Sequence, residues 1–427
     1  MIFTRYKKRF LVYLNKENFD HMEGLIDPFE FHSLFLVMAK LFSVMDYKEI
    51  PKWMYISPIC SAASAVSAGT IFLISSVEYV RTFKVHALTE CGTYLMIMCY
   101  KFLILCSIVN GKKHYHNFLQ ALRDDFHYIC TRGFKYRDRF FANQRVTFRA
   151  CVFVAIFIGS MGGGMAILAC IAVLVALHRR EEGAVRPLPF PFWLFGVNLH
   201  ASPAYEMLFL SSMLFTFFHT YLYIFMMMSQ VLWIREITCK ADIIRWNLQD
   251  LLVDVSPARN NEEENYYTAL IKHRMRDIIM MHHSMIKLTE DYAAVFKKCL
   301  LYEQMLASPI ICMTAYCFAE KFDAGEIQLI LLVLCTAVIV VVFVPSYLCT
   351  HLLEKCQSIS DACWDIPFWN AGPVVRVYLV LMMQRSLRPL PIVAAGFDDI
   401  SLQTYSNIMT RSYSCFNMLR QADFNFS

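Results

Sequence analysis

Asp399 to Gln421 reads DISLQTYSNIMTRSYSCFNMLRQ. The stretch has the length of a membrane-spanning helix, yet it carries Gln403, Asn407, Arg411, Asn417 and Arg420 among many hydroxyl side chains. Hydrocarbon satisfies none of these groups, so a helix this polar needs protein or water around much of its surface. At about 100° per residue, Thr404, Asn407, Arg411, Ser414, Met418 and Gln421 fall within roughly one third of the circumference. Tyr405, Ile408, Phe416 and Leu419 mostly point elsewhere. One wet stripe on a final span suits a pore lined by one helix per subunit. The competing reading is a helix buried centrally in its own bundle, with its polar groups paired internally.

The rest of the chain sets the context for that helix. Of 427 residues, 57% are hydrophobic and only 18% charged, a more apolar balance than soluble domains show. The excess is gathered into long runs, which argues for one membrane domain rather than several soluble ones. Spans are expected at about 53–77, 88–109, 149–177, 204–232, 299–320 and 327–350, with the last at about 399–421. Lys and Arg number 31 in residues 1–52, 110–149, 233–300 and 351–388, against 6 in the connections on the other side. Basic residues near span ends stay cytoplasmic. The N-terminus is therefore expected inside, opposite to a G-protein-coupled receptor. The fold class that follows is all-α: a polytopic seven-transmembrane helical bundle with a cytoplasmic helical anchor and a C-terminal pore helix.

The inner segments read as folded. Ile271, Met275, Ile278, His282, Met285, Thr289, Tyr292 and Phe296 recur at alternating steps of four and three, the seam of a helix packed on partner helices. Trp246, Leu248, Leu251 and Leu252 suggest a shorter facing helix before it, across the polar loop 256–264. Spans four and five are expected to continue into the cytosol and meet there, as a platform with a plausible oligomerisation surface. Phe31, Leu34, Phe35, Met38, Leu41, Phe42 and Met45 share one helical face in a stretch short for a span, which reads as a helix lying at the membrane interface. The expected organisation is a cytoplasmic N-terminal segment, 1–52; a six-helix bundle, 53–350, with cytoplasmic extensions at 110–148 and 233–298; an anchor segment, 351–397; the pore helix, 398–421; and an extracellular tail, 422–427.

No enzyme motif survives inspection. His282 and His283 are adjacent, so on a helix they point about 100° apart, and no tetrahedral set of metal ligands forms around them. No metal or other cofactor is expected. Gly162, Gly163 and Gly164 lack the Lys-Ser/Thr of a phosphate loop, and inside a span they suggest close helix approach or a kink, with room left for a small ligand as a second possibility. Sixteen cysteines occur without any CxxC pair and read as small apolar fillers. Lys101 lies toward the inner end of its span and is expected to snorkel. Glu206 opens the fourth span and suits the helix dipole. Asp398 and Asp399 are placed to cap the last span or to draw cations to an inner mouth.

The C-terminal quarter resembles the insect odorant receptors. The likeness rests on Pro367-Phe368-Trp369, Arg376, Leu379 to Arg385 and Arg388-Pro389-Leu390. It continues through Gly396-Phe397, Ser401-Leu402, Tyr405, Ser412-Tyr413-Ser414, Phe416 and Leu419. Length, span number, Ser202-Pro203 and Tyr205-Glu206 at the fourth span agree with it. The resemblance implies an odorant-gated, non-selective cation channel in the plasma membrane of olfactory neuron dendrites, tetrameric and assembled with a shared co-receptor subunit. It places a cytoplasmic anchor at 373–388 and the pore helix from about 398 onward, in which Ser414, Met418, Gln421 and Ala422 would line the narrow outer part. It places a small volatile hydrophobic ligand among spans two, three, four and six, near Tyr94, Met98, Phe157, Met161, Phe209, Met213 and Leu331. Residues 188–202 look somewhat like moth receptors, including the pheromone-sensing group, and the absence of the co-receptor's long inner insertion suggests a tuning subunit. The implied partners are thus co-receptor, ligand, lipid bilayer and permeant cations, with no nucleic acid. A gustatory receptor channel is the alternative of the same kind, since Thr404-Tyr405 matches half of that group's signature.

Overall fold

A computed structural model describes residues 24–44, 56–179, 186–253, 261–325, 328–367, 373–387, 392 and 399–426. Among them lie eleven α-helices: α1 (Pro28–Phe31), α2 (Ser33–Leu41), α3 (Ile56–Arg81), α4 (Val85–Asn110), α5 (Lys112–Cys130) and α6 (Phe134–Arg179) come first. They are followed by α7 (Ala204–Gln249), α8 (Asn261–Asp323), α9 (Leu329–Trp364), α10 (Pro373–Ser386) and α11 (Leu402–Phe426). The all-helical expectation holds for the described residues.

Five of these helices, α3, α4, α6, α7 and α9, are long and apolar enough to cross a bilayer. The other two expected spans fall on the last part of α8 and on α11, whose polar residues keep them below that composition. Length separates membrane from platform. With 46 residues in α6 and α7 and 63 in α8, a rise of about 1.5 Å per residue gives roughly 70 Å and 95 Å. Hydrocarbon accounts for about 30 Å of that, so more than half of each helix must be covered by other protein or by water.

That cover is a core centred on Trp233. Its indole is fully buried, stacked on Phe118 at 4.6 Å and edge-on to Tyr115 at 5.3 Å and Phe296 at 5.9 Å. The ring Nε1–H donates to the Leu288 carbonyl at 3.1 Å. All eight residues of the 271–296 seam are buried. The shorter helix expected around Trp246 is instead the C-terminal end of α7, which runs unbroken to Gln249, while Leu251 lies in the turn after it.

The stretch 31–45, within its described part to Val44, packs on the bundle. Phe35 of α2 stacks on Phe225 at 6.0 Å, and Phe42, just after the helix, stacks on Phe225 at 4.7 Å, so this segment lays aromatic side chains on α7. Phe31 is fully buried with Phe126, Phe141 and Phe148 in a second cluster. The bundle thus offers the apolar residues of this stretch a complementary aromatic surface. Asp27 starts this segment, accepting from Phe29 N at 3.0 Å with Pro28 as the first helical residue, a pairing that suits a helix N-terminus. Buried polar links hold it further: His32 Nε2 lies 2.9 Å from Gln144 Oε1, and Gln144 Nε2 donates to Glu236 Oε2 at 2.7 Å. Beside them Lys240 pairs with Asp125 at 2.6 Å.

The two adjacent histidines part as helix geometry requires, with His282 buried and His283 exposed. Burial, assisted by the charge of Arg385 and by His283, pushes the His282 imidazole down to about 4 from 6.5. A depressed histidine means the unfolded chain binds the extra proton first, so stability is lost as pH falls from about 6.5 toward 4, by up to about 1.4 kcal/mol per pH unit. His282→Met is expected to flatten that acid limb, as read by thermal unfolding of the solubilised protein between pH 7 and 4. An unchanged limb would remove His282 from the account. All sixteen cysteines are free thiols.

Candidate functional site

Where α4, α6, α7, α8 and α9 come together beyond the platform, they enclose a cavity with about 850 Å³ of empty space, its mouth included. Much of its wall is aliphatic, aromatic or sulfur-bearing, from Ile97, Phe157, Met161, Leu306, Leu334 and Val341. Such a lining favours a small apolar guest. A polar group sits in the wall where α4, α7 and α8 meet. Tyr100 OH donates to Glu303 Oε2 at 3.0 Å, the Tyr100 and Tyr223 rings are 6.0 Å apart, and His219 lies 5.6 Å from Tyr223.

Close helix crossing shapes this wall. A Cβ on Gly162 would sit 2.0 Å from Thr220 Oγ1 and 2.9 Å from Thr220 Cβ, so α6 meets α7 at this point only because the residue is glycine. The close-approach reading of the triple glycine therefore holds for Gly162. Gly163 and Gly164 face no neighbour within 4 Å.

Lys101 does not snorkel. It is fully buried, with Nζ donating to Ser64 Oγ at 2.8 Å and lying 5.2 Å from the centre of the Phe215 ring. A hydroxyl on α3 and an aromatic face on α7 offer it a nearer polar environment than the membrane surface. Glu206 accepts from Arg186 at 3.1 Å in addition to its place in the first turn of α7.

The final helix divides by chemistry. Ile408 and Ser412 are buried, and Tyr405, Met409, Phe416 and Leu419 pack partly against α8 and α9. Asn407, Arg411, Ser414, Met418 and Gln421 are exposed, facing away from their own bundle, and Thr404 is half-buried. Its start is capped by Ser401, whose Oγ accepts from Thr404 N at 3.2 Å. The capping role considered for Asp399 is thereby corrected: Asp399 contributes only its backbone carbonyl, to Thr404 Oγ1 at 2.7 Å. A serine hydroxyl at the residue just before the helix is in reach of the third amide, and Asp399 is two residues too early. Asp398 lies outside the described residues. At the other end Arg420 pairs with Asp323 at 2.5 Å, tying α11 to the end of α8.

Of the seven ligand candidates, Phe157 and Met161 line the cavity. Tyr94 and Met98 are buried in the adjoining aromatic cluster of Phe72, Phe190 and Phe215, one packing layer behind the cavity residues Ile97, Met165 and Leu334. Leu331 packs with Tyr316 and Cys317 beneath Phe416 and Leu419 of α11. Phe209 stacks on Tyr205 at 6.0 Å and, like Met213, is half-buried outside the cavity. The four pore candidates all fall on α11, with Ser414, Met418 and Gln421 on its exposed side.

A family model described as 7tm odorant receptor matches residues 96–413, about three quarters of the chain. The chain belongs to that family. This assignment replaces the gustatory alternative. Among curated relatives of this odorant receptor, odorant receptor 67c of Drosophila melanogaster is 27% identical over 177 residues, 42% of each chain. Odorant receptor 10 of Aedes albopictus is 22% identical over 334 residues, 74% of this chain and 79% of that one. The match to the Drosophila receptor thus spans less than half of either protein. The structure of the insect olfactory receptor OR5 from Machilis hrabei in complex with eugenol superposes with a TM-score of 0.73 at 13% identity, covering 93% of this chain and all of that one. At that identity the likeness speaks for the fold.

Glu303, Tyr100, His219, Thr220 and Tyr223 are cavity residues that the sequence reading did not single out. Of the two acids in the stretch 299–320, Glu303 and Glu320, Glu303 lies inside the expected span, and an acid there is itself a functional signal. It was masked by the nearby Lys297 and Lys298, which make the inner end of that span resemble an ordinary charged boundary.

Proposed function

We propose that this odorant receptor is a ligand-gated cation-channel subunit in the plasma membrane, working with a co-receptor subunit in a tetramer, its N-terminus inside. The observation that carries the reading is the division of α11, with apolar residues packed on α8 and α9 and polar ones turned outward. A monomer in lipid has no use for that outward polar face. Several copies around an axis would give it water. The cavity among α4, α6, α7, α8 and α9 takes a small, mostly apolar volatile, with Phe157 and Met161 among its contacts. The α8 and α9 walls of the cavity also support α11 through Ala307, Val338 and Val342, which pack with Ile408 and Tyr405. A ligand that spreads those walls would therefore shift the pore helix. Arg411, exposed on the same side as Asn407, would face a wide, wet vestibule where its charge is screened.

Current recording from cells expressing the chain with a co-receptor, over a panel of volatile hydrophobes, tests the reading. A ligand-evoked, weakly selective cation current is expected. Gln421→Ala is expected to alter relative ion permeability severalfold while leaving the rank order of ligands unchanged. A shifted rank order with unchanged permeability would move Gln421 from pore to ligand site. Surface labelling of a tag on residue 1 in unpermeabilised cells would overturn the topology.

A further inference from the structure

The cavity holds an acid that its apolar lining does not explain. Glu303 is 5% exposed and lines the cavity, with Oε2 accepting from Tyr100 and Oε1 without any partner. His219 on the same wall also has an unpartnered nitrogen, Nδ1. Buried polar atoms without partners are costly, and the carboxyl of a residue in the cavity wall can turn such an oxygen toward a guest that offers a partner. A purely hydrocarbon guest would leave that oxygen unsatisfied.

We propose that the cavity selects ligands with a single hydroxyl head on an apolar body, aliphatic alcohols or phenols, the hydroxyl pairing with the Glu303 carboxyl. The class follows from the donor set. A hydroxyl both donates and accepts, so it satisfies Oε1 whether that oxygen acts as acceptor or carries the proton. An ether or ester only accepts, and an alkane does neither. The aliphatic part then fills the space between Phe157, Met161 and Leu334. The inference rests on the reading of this cavity as the ligand site, and Glu303 is its specificity-determining residue.

The test uses the full chain purified in detergent, with binding of 1-decanol, its methyl ether and decylamine measured by calorimetry, and currents recorded separately. Decanol is expected to bind at least about tenfold more tightly than the ether, in line with one hydrogen bond to a buried carboxyl group. Glu303→Leu is expected to bring the two within about threefold while binding the ether no worse. Equal binding of alcohol and ether by the unaltered chain, tighter binding of the amine than the alcohol, or a ratio retained in Glu303→Leu would each overturn the proposal, as would no binding of any. If Glu303→Leu does not fold, infrared difference spectra of the unaltered chain decide: decanol should perturb a carboxyl band that the ether leaves alone, and no such difference would overturn it. Selective binding without current would instead count against the channel reading and leave the hydroxyl preference standing.

Discussion

Trp233→Ala is expected to cost about 3–5 kcal/mol, the largest loss of any single aromatic truncation in the platform. The indole is enclosed by Tyr115 and Phe118 of α5 and by Tyr292 and Phe296 of α8, while its own helix is α7. Three helices thus share one side chain. Removing it leaves a void that rigid neighbouring rings fill poorly, and it also deletes the bond to the Leu288 carbonyl. Trp364, at 66% exposed, is the control: Trp364→Ala should lose only a small fraction of that amount. Thermal unfolding in detergent compares the two. Similar losses would mean the platform is not the stabilising core. Because α7 and α8 both pass from platform to cavity, Trp233→Ala should also lower ligand response at temperatures where the protein is still folded.

The second large effect is expected at Gly162. Gly162→Ala puts a methyl group within 2.7 Å of Thr220 Cγ2 and closer still to its hydroxyl, which donates to Thr216 O at 2.8 Å. Thr220 is β-branched and tied to its own helix, so it turns away with difficulty. The helices must separate, at about 1–3 kcal/mol. The cavity they wall should change shape with them, shifting ligand preference. Thr220→Ala removes the two atoms met first, so the double variant should recover most of the loss. A cycle with no coupling energy would show that the crossing is not what glycine serves there.

The divided face of α11 was legible in the chain itself. Polar and apolar residues in a helix sort by angle, and angle depends only on sequence spacing. The 271–296 seam was legible for the same reason, as were the close approach at Gly162 and the odorant receptor family, carried by short motifs in fixed order. Inclusion in the cavity was not. Tyr94 and Phe157 both lie in the spans expected to surround a ligand, yet Phe157 lines the cavity and Tyr94 packs behind it. Both are aromatic residues in apolar helices, and the difference arises from how α4 and α6 are rotated against their neighbours.

Periodicity within one helix therefore determined which faces of this receptor are wet, which are packed, and how many helices it has in broad terms. The tertiary structure alone decided what covers each packed face. It laid Phe35 of α2 on Phe225, drew Lys101 inward to Ser64, and brought Tyr100, His219 and Glu303 from three helices into one wall. The physical reason is distance along the chain. Those three residues are separated by more than 80 positions at each step, and no local rule of spacing acts over that range. On the polar final helix, sequence established that one side needs water. Only the packing of Ile408 and Phe416 on α8 and α9 decided that this side faces away from its own bundle.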